Sequence, residues 1–151
     1  INMIHFEVLC EKNVDSYIRY LEKALREEPD KVWIEKVDPE AIRSRVQDSF
    51  YQNTTSILAM EGEETVGRIE YHFYGCFQDG YRMAYVDWVY VLREVRRQNI
   101  GRRLFEEFEK ECRKYKINQY FLIMAESEEA VRFYESFSAK IEKAPTLRKD
   151  L

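Results

Sequence analysis

Five arginines and one glycine crowd into Arg93-Glu94-Val95-Arg96-Arg97-Gln98-Asn99-Ile100-Gly101-Arg102-Arg103, a polar stretch between two apolar ones. Upstream, Tyr85-Val86-Asp87-Trp88-Val89-Tyr90-Val91 is β-branched and aromatic and predicts a strand. From Ile100 onward the apolar residues take helical spacing. A helix that starts there leaves the amides around Asn99 to Arg103 without carbonyl partners in the helix, at the positive end of its dipole. Such an end binds anions. Gly101 lets an oxygen-rich group approach the backbone, and flanking guanidinium groups match phosphate in charge and shape. Read blandly, the arginines are a solvated face that balances nearby glutamates. Their concentration at one helix start favours phosphate contact for Arg96, Arg97 and Arg102.

The glycines do not spell a nucleotide-triphosphate or dinucleotide loop, because neither Gly-x-x-x-x-Gly-Lys-Ser/Thr nor Gly-x-Gly-x-x-Gly occurs. The 151 residues, 45% of them hydrophobic, suit one domain over 1–151 with a real core. A net charge of −4 argues against nucleic acid and mildly favours a cationic substrate. Cys10, Cys76 and Cys112 lack metal-ligand spacing, and His5 and His72 lie far from any ligand set readable in the sequence, so no metal site is expected. No apolar run approaches membrane-spanning length and the first residues do not read as a leader, which makes the cytoplasm the simplest address.

The elements around the loop follow from periodicity. Met3 to Leu9 reads as a strand. Val14, Tyr17, Ile18, Leu21, Ala24 and Leu25 mark an amphipathic helix that ends before Pro29. Asp38-Pro39 caps a second helix, with Ile42, Val46 and Phe50 four apart. Ser56 to Met60, an acidic turn, and Thr65 to Tyr74 form a hairpin that a further turn extends through Arg82 to Leu92 as an antiparallel meander. Gly67, inside a strand, predicts a bulge or a close backbone approach. After the helix that carries Ile100, Leu104, Phe105, Phe108, Cys112 and Tyr115, the run Asn118 to Ala125 reads as a strand buried on both faces. Ser127 caps a last helix with Ala130, Phe133, Tyr134 and Phe137 on one stripe. Residues 139–142 and 146–148 are candidates for short closing strands.

Two segments carry a family resemblance. Arg96-Arg97-Gln98-Asn99-Ile100-Gly101 resembles the Gln/Arg-x-x-Gly-x-Gly/Ala loop of the GNAT superfamily of N-acetyltransferases, with Asn99 at the first glycine. Asparagine tolerates positive φ best after glycine, so a left-handed turn is compatible with it. Ser127-Glu128-Glu129-Ala130-Val131-Arg132-Phe133-Tyr134-Glu135 resembles the family's Asn-x-x-Ala-x-x-Phe-Tyr-Glu segment, with Ser127 for asparagine and Ser138-Ala139 for the usual Gly-Phe. The resemblance implies a mixed α/β fold with a central, mostly antiparallel twisted sheet, flanked by helices and splayed beside Val89 to Val91. It also implies acetyl-CoA as acyl donor. The loop from Arg96 to Arg102, including Gln98, Asn99, Ile100 and Gly101, would take the pyrophosphate, Val89, Tyr90 and Val91 the pantetheine arm, and Ser127, Ala130 and Tyr134 further contacts.

Acetylating an amine requires a neutral amine, so a base must remove a proton from a group titrating near ~10.4. Family position makes Asp87 the first candidate and Glu70, on the neighbouring strand, its competitor. The structural alternative pairs Asp87 with Arg68 or Arg82 across the sheet. Tyr134 is the candidate acid for the departing thiolate, against a purely packing role on its helix stripe. A rival of another class is a non-catalytic acyl-CoA-binding module that keeps the loop and lacks the base. The acceptor, a small-molecule or peptide amine, is not legible, nor is the oligomeric state, a homodimer included.

Overall fold

The computed structural model describes residues 3–151. Five strands form one sheet in the order β1-β2-β3-β4-β5: β1 Ile4–Val8, β2 Thr54–Glu61, β3 Glu64–Gly75, β4 Arg82–Val91 and β5 Gln119–Leu122. The first four are antiparallel and β5 runs parallel to β4. Helices α1 Val14–Glu27, α2 Pro29–Val32 and α3 Pro39–Gln47 precede β2, while α4 Ile100–Lys114 and α5 Glu128–Glu135 follow β4 and β5.

Alternation along β3 separates two surfaces. Ile69 is fully buried and the Tyr71 ring packs on Phe108 of α4, with centroids 4.7 Å apart. Arg68, Glu70 and His72 point the other way, toward Tyr17 of α1 and a cavity. On the α4 side Ile100, Leu104, Phe105, Phe108 and Cys112 are buried, the stripe its spacing predicts. Phe133 and Tyr134 of α5, with Phe137 just after it, then ring Phe105.

Gly67 is explained by close approach. A Cβ there would meet Val91 Cγ2 at 3.2 Å and Ile100 Cγ2 at 3.4 Å, so the missing side chain lets the start of α4 settle onto β3 and β4.

Three expectations need correction. The strand over 118–125 shrinks to Gln119–Leu122 and is not buried on both faces: Phe121 is 45% exposed and Ile123 63%. Its apolar run reflects ring contacts on alternate faces, Tyr85 on Phe121 and Phe105 and Phe108 on Tyr120, and β4 is its partner among the described strands. Residues 139–142 and 146–148 form no strand; Ile141 and Leu147 are exposed among polar and charged residues, and Pro145 lacks an amide hydrogen. Helix α3 stops at Gln47, with Asp48 capping a 3-10 turn, so Phe50 projects outward at 83% exposure.

Candidate active site

A bulge in β4 assembles the site. Glu70 pairs with Trp88 but Tyr71 with Val86, which leaves Asp87 as the extra residue. The insertion turns Asp87 and Trp88, consecutive in sequence, toward the same cavity. On β3 the two-residue period brings Arg68, Glu70 and His72 to that cavity. Its volume is about 600 Å³, and its far wall comes from α1, α3 and the chain between α2 and α3.

Glu70, His72 and Asp87 present ligand atoms within 4.8 Å of one another. His72 Nε2 donates to Asp87 Oδ2 at 2.9 Å, Thr54 Oγ1 lies 3.3 Å from His72 Nδ1, and the Tyr85 ring stacks on the imidazole. Ser56 Oγ donates to Glu70 Oε1 at 2.8 Å. Burial pushes the Glu70 carboxyl above the usual carboxylate range; Arg68 pulls it down, and the negative Asp87 raises it again. Asp87 Oδ1 is buried without a hydrogen-bond partner.

These contacts revise the sequence reading. Asp87 pairs with neither Arg68 nor Arg82: it holds His72, while Arg82 donates to the carbonyl of Tyr115. His72, remote in sequence from any ligand set, lies two residues from Glu70 on β3 and bonds Asp87 across on β4, as part of the cluster. Arg68 was also missed as a site residue. It is buried between the rings of Tyr17 and Trp88, 5.4 and 5.5 Å from their centroids, and donates through Nη1 to the Tyr17 hydroxyl. The signal was available as Arg68-x-Glu70-x-His72, three polar groups on one face of an otherwise apolar strand.

The second half of the site is the bend after β4. Residues 93–98 form a 3-10 turn, and Asn99 is left-handed at φ 58°, ψ 24°. Arg103 N donates to Asn99 O at 3.0 Å and closes the first helical turn. The expected open amides therefore narrow to those of Ile100, Gly101 and Arg102, which come before the first possible helical bond. A Cβ on Gly101 would touch only the Phe133 ring, at 3.5 Å, so packing alone does not require glycine there. Beyond Val86, β4 has no pairing with β5, so the strands diverge beside Val89, Tyr90 and Val91. A bend with free amides, next to strand backbone that has lost its neighbour, suits a diphosphate joined to an extended amide-bearing arm.

The arginines divide. Arg96 is committed to the protein: its guanidinium grips the Glu28 carboxylate, Nε donates to Val91 O at 3.1 Å, and the Tyr90 ring lies beneath it. The phosphate contact expected of Arg96 would compete with that clamp. Arg103 donates to Ile4 O. Arg97, Gln98 and Asn99 are exposed, and Arg102 rests on Phe137 with Nη2 donating to Ser136 Oγ, so Arg97 and Arg102 remain at the bend's surface. Ser127 caps α5 by accepting from Ala130 N at 3.2 Å. Tyr134 is half-buried against Phe105, Phe133 and Phe137, and burial raises its phenol pKa.

A splayed sheet, with an open helix start at one strand end and a carboxylate-lined cavity beside it, is the architecture of an acyltransferase. The family model described as acetyltransferase (GNAT) domain matches residues 17–138, and the chain belongs to that family of acyltransferases. Solved structures agree in fold. An aminoglycoside acetyltransferase from an uncultured soil metagenomic sample, in complex with trehalose, superposes at a TM-score of 0.80 and 17% identity, over 98% of this chain and 96% of that one. The ribosomal-protein-alanine N-acetyltransferase of Brucella melitensis biovar Abortus 2308 gives 0.77 at 15% identity, over 98% and 100%. An acetyltransferase of Trypanosoma brucei gives 0.77 at 16%, over 99% and 100%. A search of curated proteins finds no significant match. No helix among the described residues is long and apolar enough to cross a membrane.

Proposed function

We propose that the protein transfers an acetyl group from acetyl-CoA to a primary amine by direct attack in a ternary complex. The observation that carries this reading is the Glu70, His72 and Asp87 cluster on the wall of a ligand-sized cavity. A module that only bound acyl-CoA would have no use for two adjacent half-buried carboxylates, whose mutual repulsion disfavours the ionised pair.

Acetyl-CoA supplies the activated acyl carbon. Amides 100–102, Arg97 and Arg102 hold its diphosphate, and the backbone of Val89, Tyr90 and Val91 aligns its arm toward the cavity. Glu70, with a raised pKa and one oxygen held by Ser56, removes the proton of the incoming ammonium group directly or through water. Asp87, which the sequence favours as base, holds His72 and keeps the local potential negative for that cation. Tyr134, a phenol kept protonated by burial, donates to the departing thiolate. The chain works as a single domain in this reading.

Thiol release from acetyl-CoA against an amine panel tests it. Glu70→Gln lowers kcat by about 10²- to 10⁴-fold, the usual worth of a positioned general base, while acetyl-CoA affinity by calorimetry stays unchanged. Absence of thiol release with every amine of the panel in wild-type protein, despite tight acetyl-CoA binding, sends the assignment to the binding-module alternative.

A further inference from the structure

We propose that the acceptor is amphoteric and apolar, a free α-amino acid with a large hydrocarbon side chain, and that Arg68 reads its carboxylate. The proposal rests on the transferase reading above and specifies the acceptor for the same cavity. Arg68 is 8% exposed, lines the cavity, and has the Tyr17 hydroxyl as its hydrogen-bond partner among the described residues; its Nε has none. A buried guanidinium without a carboxylate in ion-pair contact is an incomplete interaction, since buried charges are ordinarily paired. The flanking Tyr17 and Trp88 rings hold its plane in place.

Glu70 sits two residues along the same face of β3, about 7 Å away along the strand. A cation and a base at that spacing suit a head group in which amine and carboxylate share one carbon. One wall of the cavity is hydrocarbon, with Leu21, Val32, Ile34, Val37, Ile42 and Val46 facing it, while Thr54, Thr55 and Ser56 line the side toward Glu70. The charges lining it balance: Lys36, Arg45 and Arg68 against Asp38, Glu70 and Asp87. A polyamine or aminoglycoside, bearing several cations and little hydrocarbon, would leave those apolar walls uncovered and meet three cationic side chains.

The test is initial-rate thiol release by the wild-type protein with L-phenylalanine, L-leucine, L-phenylalaninamide, phenethylamine, spermidine and kanamycin, with acetyl-CoA binding measured separately by calorimetry. L-Phenylalanine or L-leucine should exceed L-phenylalaninamide and phenethylamine in kcat/KM by roughly 10- to 100-fold, as expected for one hydrogen-bonded charge contact. Spermidine and kanamycin should be the poorest. Arg68→Met should erase the difference between L-phenylalanine and its amide while acetyl-CoA affinity persists; if that variant does not fold, the wild-type comparison decides. Equal or better turnover of the amide, spermidine or kanamycin overturns the proposal and leaves the transferase reading intact. Thiol release with none of the amines, alongside normal acetyl-CoA binding, removes the transferase reading and this proposal with it.

Discussion

In the proposed reaction Glu70 and Tyr134 would divide the proton work through opposite uses of burial. Both are raised, Glu70 so that it accepts a proton closer to neutral pH and Tyr134 so that it keeps one. Because Glu70 must be ionised to act, kcat/KM should fall as pH drops through its pKa, with a midpoint above the ~4.3 of a free glutamate. A pH profile whose acid limb is unchanged in Glu70→Gln would assign the base elsewhere. Tyr134→Phe removes the donor and keeps the ring in its aromatic cluster, so kcat should fall at least about tenfold with acetyl-CoA affinity nearly unchanged. His72 is the group that sequence spacing could not place. Fifteen residues separate it from Asp87, and the two meet because antiparallel pairing aligns β3 with β4 and one extra residue rotates Asp87 inward. Register and bulges depend on partner strands, which a linear pattern does not display.

At the scale of elements, two contacts fix the bend after β4. In the first, the end of α1 is tied to the start of the bend through Glu28, which takes Arg96, Lys31 and the Tyr90 hydroxyl. Burial pushes the Glu28 carboxyl up, but hydrogen bonds from Arg96, Tyr90 and Lys31 outweigh it and hold the pKa at about 2. A carboxyl depressed in the folded state contributes stability that is present above its unfolded pKa, near ~4.3, and disappears as pH falls toward 2. Glu28→Gln should therefore lose stability at pH 7, on the order of 3 kcal/mol, and should show a shallower decline between pH 4 and 2 in denaturant titrations. In the second contact, Gly67 meets Ile100 and Val91. Gly67→Ala gains unfolded-state entropy worth roughly 0.5–1 kcal/mol, yet places a methyl 3.2 Å from a stiff valine, an overpacking cost of about 1–3 kcal/mol. Overpacking outweighs the entropic gain, so thermal melts should show a lower Tm and calorimetry a weaker acetyl-CoA affinity as α4 is displaced. The elements themselves were legible because α1, α4 and the meander have strong periodicity. The wall formed by residues 33–38 was not, since it has none.

At the scale of the molecule, the proposed site draws on both halves of the chain: the cavity from α1, α3 and β3, and the proposed thioester side from β4, the bend and α5. Sequence motifs exposed the bend after β4 because its shape is set by local backbone, which glycine and asparagine record directly. They hid the first half because an acceptor cavity is a product of packing among distant segments. A ligand that binds across such an assembly stabilises all of it. At 100 times its dissociation constant, acetyl-CoA should add about 2.7 kcal/mol to folding, which for a chain of this size corresponds to a Tm rise of roughly 5–10 °C. Arg102→Glu places an anion beside the open amides, where Arg102 now rests on Phe137 and Ser136. Its melting temperature without ligand should stay near wild type, because one exposed hydrogen bond is worth little, whereas the acetyl-CoA shift should vanish at physiological salt. A full ligand-induced shift in that variant, read by scanning fluorimetry, would mean that the thioester's diphosphate lies away from the bend at Asn99, and the functional assignment of the loop would have to move with it.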